Sequence, residues 1–264
     1  MVLDGIGGHR AGEVASTLGL NTIKEIVTQY VTEKKIKITP DDYQTESQEA
    51  YFLNKSLTIA NQVINVAAHS KPEYHGMGTT VASLLMGKKT IAIAHVGDSR
   101  IYLIRNNSIE RLTEDHSLVM EQLKLGIISE KEAEKSEMKN IITRALGADE
   151  VLIPTVNELT PFNNDLFLIC SDGLTDLVSD EEIFDIILKN KGILDRTTQA
   201  LIDKANKKGG KDNITTILIN IKIRSKIKLL QWFFSILSWA FENISSRFNL
   251  KRLTKKEKGD IKNL

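Results

Sequence analysis

The sequence predicts an α+β fold on three observations: apolar stripes at helical spacing before residue 70, period-two β-branched segments from Gly78 to Asn107, and later strands and helices in blocks rather than strict alternation. Val2 and Leu3 read as the end of a strand running into the glycine-rich turn Gly5 to Gly8, and a helical stretch follows from about Ala11 to Val31. Tyr43 to Ser70 carries Leu57, Ala60, Ile64 and Ala67 at steps of three and four, the stripe of a core-facing helix. TTVASLLMG, KTIAIAHVGDS and RIYLIRN then read as an antiparallel meander turning at Gly87-Lys88 and Asn106-Asn107. A helix near Ser117 to Leu125 leads into Ile128 to Asn140, whose many charges and few apolar residues suit a surface flap. Further strands are expected at Val151 to Val156, Leu166 to Cys170 and Ile214 to Ile221, with helices at about Asp180 to Lys189 and Asp195 to Lys208.

Composition narrows the function classes. With 35 basic and 34 acidic residues the formal charge is +1, so no global field recruits nucleic acid. A single cysteine, Cys170, excludes an internal disulfide framework and a cysteine-rich zinc site. The opening residues lack a secretory signal, and a cytoplasmic protein is expected. Residues 225–264 hold nine Lys/Arg against three Asp/Glu, a net +6 that leaves the first 224 residues at −5. The expected organisation is therefore a domain over 1–222 and a basic tail over 223–264.

Three short stretches share one pattern, an aspartate beside glycine or asparagine at a strand end or turn: Leu3-Asp4-Gly5, Cys170-Ser171-Asp172-Gly173 and Lys211-Asp212-Asn213. A carboxylate at a strand end is fixed by the sheet behind it, and all-oxygen ligation suits Mg²⁺ or Mn²⁺. Each stretch taken alone reads equally as an ordinary turn.

Together with DGIGGHRAG (Asp4 to Gly12), GMGTT (Gly76 to Thr80), VGDSRIY (Val96 to Tyr102), LTEDHS (Leu112 to Ser117), ITRALG (Ile142 to Gly147), CSDGLTD (Cys170 to Asp176) and GGKDNIT (Gly209 to Thr215), they fall in the order and approximate spacing of bacterial type 2C (PPM) metal-dependent serine/threonine phosphatases, which the chain resembles over about residues 1 to 222. The resemblance implies a four-layer α-β-β-α sandwich of two antiparallel sheets flanked by helix pairs. It also implies hydrolysis of phosphoserine and phosphothreonine in proteins by a water activated between two divalent cations, Mn²⁺ or Mg²⁺. On it, Asp4 bridges the two ions, the Gly5 carbonyl binds one, Asp172 and Asp212 complete the other, and Asp115 with Asp172 forms a third, weaker metal site.

His9 could protonate the leaving group or simply line the turn. Arg144 could face the substrate or make an ordinary surface ion pair. His69, His75, His95 and His116 show no ligand spacing and read as structural, as do Ser99 and Arg100. A cysteine phosphatase is excluded because the arginine it needs six residues after Cys170 is Asp176 here, and the glycines at 5, 7 and 8 miss a dinucleotide fingerprint because Arg10 stands at its third position.

The family carries two strands ahead of the DGxGG turn, bringing an arginine for the phosphate and an acidic residue for a metal; here three residues precede Asp4. The favoured expectation is a natural start further upstream. The alternative is a catalytically weak pseudophosphatase that binds phosphoproteins or tethers a partner. A phosphatase regulating a sigma factor would share the same ligands.

In the tail, LLQWFFSILSWAF (Leu229 to Phe241) between basic flanks falls short of the roughly 20 residues that span a bilayer. It suits an amphipathic helix at an anionic membrane surface, with contact over 226–256, or one packed on the domain or a partner. The partners expected are phosphorylated proteins, with the chain a monomer.

Overall fold

The computed structural model describes residues 1–7, 9–33, 47–136, 138–190 and 193–223. The chain divides after Lys222 into two compact units, and the described residues belong, Ile223 apart, to the first. The expected tail helix at 229–241 lies outside the described residues.

The strands are β1 (Gly5–Ile6), β2 (Gly78–Thr79), β3 (Val81–Met86), β4 (Ile91–Val96), β5 (Arg100–Arg105), β6 (Ser108–Arg111), β7 (Thr155–Leu159), β8 (Leu166–Cys170) and β9 (Thr216–Asn220). The helices are α1 (His9–Thr28), α2 (Gln48–Ser70), α3 (Leu118–Lys124), α4 (Glu130–Lys135), the single turn α5 (Asp172–Thr175), α6 (Asp180–Lys189) and α7 (Leu194–Lys207).

Period-two patterning explains why two sheets form. In β4, Ala92, Ala94 and Val96 join one apolar cluster while Ile91 and Ile93 join another, so the strand is buried on both faces. In β5, Ile101 and Leu103 turn one way and Tyr102 and Ile104 the other. The first sheet runs β3-β4-β7 and the second β6-β5-β8-β9, with every pairing antiparallel.

Three apolar layers hold the four layers of structure together. Ala15 and Ile23 of α1 and Leu57 and Ile64 of α2 pack on the alanine face of β4. Ile91, Ile93, Ile101, Leu103, Phe167 and Ile169 fill the space between the sheets. Leu168 and Cys170 of β8 meet Ile183, Ile187, Leu201 and Ala205 of α6 and α7. The result is the expected α-β-β-α sandwich.

Local signals set most boundaries. Ser47 Oγ accepts the Ala50 N–H and starts α2, Ser117 does the same for α3 at Met120, and Ser179 with Glu182 makes a capping box for α6. Asn106 and Asn107, at φ 51° and 62°, form the two-residue turn that sets Arg105 opposite Ser108.

Two expectations need correction. The strand foreseen at Val151 to Val156 begins only at Thr155, because Pro154 has no N–H to give a ladder; Val151 and Ile153 are 80% and 77% exposed. Within the expected surface flap, Ser129 and Glu132 cap the short helix α4. Helix α1 starts two residues earlier than foreseen and closes in a π-helical turn, Gln29–Glu33.

Phe167, fully buried between the sheets, and Val151 give opposite stability predictions. Phe167→Ala is expected to cost about 3–5 kcal/mol and Val151→Ala within about 0.5 kcal/mol in urea unfolding. Similar losses for the two would contradict this placement of the core.

Candidate functional site

The site is assembled at one end of the strands by backbone stitching. Val2 and Ala82 exchange two hydrogen bonds (2.8 and 2.9 Å), and two residues on, the Thr80 N–H and Thr79 Oγ1 both donate to the Asp4 carbonyl at 2.8 and 2.7 Å. The Asp4 N–H donates to Thr80 Oγ1 (3.2 Å), whose partner at 2.7 Å is Ser99 Oγ. Two threonines of GMGTT thus tie the Asp4 segment to the residue after Asp98.

A second stitch joins the other two aspartates. Ser171 Oγ donates to the Asn213 carbonyl (3.0 Å) and accepts the Thr215 N–H (3.1 Å), while the Ser171 N–H donates to the Thr215 carbonyl (3.1 Å). Gly173 allows the approach, since a Cβ there would lie 2.3 Å from the Asn213 carbonyl oxygen. Asp172 and Asp212 are thereby brought to the same place as Asp4.

The electrostatics report how crowded these groups are. Burial and then the Asp4 carboxyl push the Asp172 pKa up, with Asp212 and Asp176 adding to the shift. Burial likewise raises Asp4; a hydrogen bond with Asp172 opposes that, and the charges of Asp212 and Asp98 add to it. Burial, followed by repulsion from Asp172 and Asp115, pushes the Asp98 carboxyl up to about 7. Asp172 Oδ1 is buried without a hydrogen-bond partner. Asp212 is exposed, with its Oδ1 accepting the Asn213 N–H at 2.7 Å.

The structure therefore brings Asp4, Gly5, Asp172 and Asp212 together, and it adds Asp98. Sequence reasoning passed over Asp98, although Val96-Gly97-Asp98 shows the same signature as the others, an aspartate beside glycine after an apolar strand. Asp115 sits differently. Arg100 Nε and Nη2 grip both its oxygens (2.9 and 2.6 Å), and Arg111 lies 3.8 Å away. Arg100 also reaches the Tyr102 hydroxyl (3.2 Å), which donates to Asp180 Oδ1 at 2.7 Å.

A groove of about 610 Å³ leads away from Asp98 and Asp172 past Arg100, Arg111, Asp176 and Lys139. The flap borders it, with Lys139 Nζ 3.4 Å from Asp176 Oδ1 and Asn140 Nδ2 donating to Asp176 Oδ2 at 3.0 Å. Arg144 is exposed and lines a neighbouring cavity of about 430 Å³ with His95 and His116. Those two rings stack at 4.8 Å, and burial, then His95, then Arg144 lower the His116 pKa to about 4. His9 opens α1, and its side chain lies outside the described residues. The Cys170 thiol is wholly buried and pushed up to about 12 by that burial, which leaves it no part in the chemistry.

A chain of this sequence and four-layer fold has known counterparts. A family model described as "Protein phosphatase 2C" matches residues 1–214. The chain belongs to this family. Among relatives, the serine/threonine phosphatase stp of Listeria welshimeri is 40% identical over 228 residues, 86% of this chain and 85% of that one. The solved serine/threonine phosphatase PstP/Ppp of Mycobacterium tuberculosis superposes with a TM-score of 0.72 at 31% identity, covering 84% of this chain and 87% of that one. A PstP catalytic domain in complex with two manganese ions superposes at 0.70 and 30% identity, over 84% and 86% of the two chains.

Protein phosphatase 2C enzymes are metal-dependent, and the residues here fit a hard divalent cation: the donors are all oxygen, one carboxylate oxygen is orphaned, and the carboxyls repel one another. Among the described residues no three of His, Cys, Asp or Glu close into a cage by themselves; Asp4 and Asp172 form the tight pair.

A carboxyl with a raised pKa binds its proton more tightly in the folded chain than in the unfolded one. Stability is therefore full below the unfolded value of about 4 and is lost as pH rises towards about 7, the folded value of Asp98. The melting temperature of the metal-free protein is expected to fall between pH 5 and 7.5, and Mn²⁺ to raise it more at pH 7.5 than at pH 5. An equal Mn²⁺ shift at both values would show that these carboxyls do not hold the ion.

Proposed function

We propose that the chain hydrolyses phosphoserine and phosphothreonine esters in proteins, using Mn²⁺ or Mg²⁺ held by Asp4, the Gly5 carbonyl, Asp172 and Asp212. The observation that carries this reading is the convergence of Asp4 and Asp212 on Asp172, which with Asp98 lines the head of a groove and keeps its Oδ1 unpartnered. Held by these residues, divalent ions would supply Lewis-acid neutralisation of phosphoryl oxygens and a lowered pKa for bound water. Such help is needed because phosphate monoester hydrolysis is among the slowest uncatalysed reactions, with accelerations up to ~10²¹-fold.

The chain's own residues hold and orient. Thr79 and Thr80 fix the Asp4 backbone, Ser171 fixes Asp172 against the Asp212 loop, and Arg100 ties up Asp115. This supports Asp98, rather than Asp115, as the carboxylate that joins Asp172 at a third, weaker site. The groove between flap and body gives a phosphopeptide room to lie beside the centre. Among the described residues no helix is long and apolar enough to cross a membrane. For residues 226–256 the composition supports contact with an anionic lipid surface, which co-sedimentation with phosphatidylserine vesicles would test.

The deciding assay is hydrolysis of p-nitrophenyl phosphate and a phosphothreonine peptide with and without Mn²⁺. Asp172→Asn is expected to lower turnover at least about 100-fold without loss of fold. Asp98→Asn should raise the Mn²⁺ concentration needed, whereas Asp115→Asn should lower the melting temperature and leave the metal requirement alone. A folded chain that binds the phosphopeptide but never turns it over would make it a phosphoprotein-binding module instead.

A further inference from the structure

Asp98 hangs on a peptide that its own sequence cannot steady. Gly97 has φ 97°, in the region that favours glycine, and a Cβ there would lie 2.7 Å from Thr80 Cγ2, so position 97 admits no side chain to anchor the turn. The far side of Asp98 is secured by the Ser99–Thr80 hydroxyl contact. The near side is held by one residue from another segment. The His116 N–H donates to the Gly97 carbonyl at 3.0 Å, and the Gly97 N–H donates to His116 Nδ1 at 3.2 Å.

Accepting a backbone N–H requires an unprotonated Nδ1, so the proton of the neutral ring sits on Nε2, which lies 3.1 Å from Thr155 Oγ1. The His116 carbonyl accepts the Thr143 N–H (2.9 Å), where the chain returns from the flap. The ring stacks at 23° on His95, which is itself 1% exposed and fixed by the Glu114 carbonyl at 2.8 Å from its Nε2.

We infer that His116 is a positioning residue for the phosphatase reaction: by holding both backbone polar groups of Gly97 it sets the direction of the Asp98 carboxyl and joins that carboxyl to the base of the flap. The inference rests on the reading that Asp98 belongs to the metal centre.

Two substitutions separate the ends of the ring. His116→Asn places Oδ1 where Nδ1 accepts from Gly97 but cannot reach Thr155. His116→Gln reaches towards Thr155 and offers no acceptor at the branch facing Gly97. The expected result is that the asparagine variant keeps turnover within about threefold, while the glutamine variant loses about 10–100-fold in turnover and in calorimetric Mn²⁺ affinity, with the KM for p-nitrophenyl phosphate unchanged. Adding Asp98→Asn to the glutamine variant should cost nothing beyond Asp98→Asn alone. Melting temperatures, measured on all variants, are expected to fall similarly for Asn and Gln. Equal activity losses in those two variants, or a glutamine variant with full turnover and full Mn²⁺ affinity, would overturn the inference. If Asp98→Asn alone leaves Mn²⁺ binding intact, the reading of Asp98 is wrong and the positioning role falls with it.

Discussion

Asp4, Asp98, Asp172 and Asp212 repel one another across a partly buried site, and the backbone has to carry that repulsion. Asp4, Asp98 and Asp172 sit beside a strand end or a one-turn helix and Asp212 in a loop, each on a backbone segment bonded to a neighbouring one, so the segments cannot part. Like charges in poor solvent are costly until a cation arrives, so the fold stores an affinity for divalent ions in its own geometry. The threonine pair at 79 and 80 and the hydroxyl of Ser171 matter for this reason. They are neutral groups whose hydrogen bonds hold acidic segments together without cancelling the charge.

The rigidity behind the site comes from alternation. Strands β4, β5 and β8 are buried on both faces, which fixes their register, since a slip of one residue would exchange the contents of two apolar layers. Small residues on one face of β4 let α2 approach, and large ones on its other face fill the gap between sheets. The polar network of Arg100, Asp115, Tyr102 and Asp180 then links β5 to the start of α6 at the same end of the sheet as the carboxylates. An arginine two residues from Asp98 is thus committed to structure, and its positive charge is spent on Asp115.

Much of this was legible in the sequence, and the parts that were not have physical reasons. Strand and helix types follow from periodicity, and the Asp-Gly and Asp-Asn turns mark Asp4, Asp172 and Asp212 as the candidates that the fold brings together. The strand at 151 was misplaced because Val151, Leu152 and Ile153 look apolar and β-prone, whereas the proline after them decides where a ladder can start. Asp98 does not stand out in the sequence from the neighbouring Ser99 and Arg100, because nothing local in VGDSR says which side chain turns into the groove. Asp115 entered through the family resemblance, and an arginine fifteen residues away in sequence gives no sign that it will close on that carboxylate. Contacts of that range are set by the sheet pairing, which a linear reading does not contain.

The placement of Cys170 carries a last consequence. It is the chain's one cysteine, it packs between sheet and helices, and burial keeps its thiol protonated up to about 12. Peroxides and alkylating agents react with exposed thiolates, and this molecule presents none. Hydrolases that use a cysteine nucleophile can be switched off by oxidant and restored by reductant. A phosphatase built on carboxylates, with its sulfur sealed in the core, lacks that thiol switch and keeps removing phosphate when its thiol-dependent counterparts have been silenced.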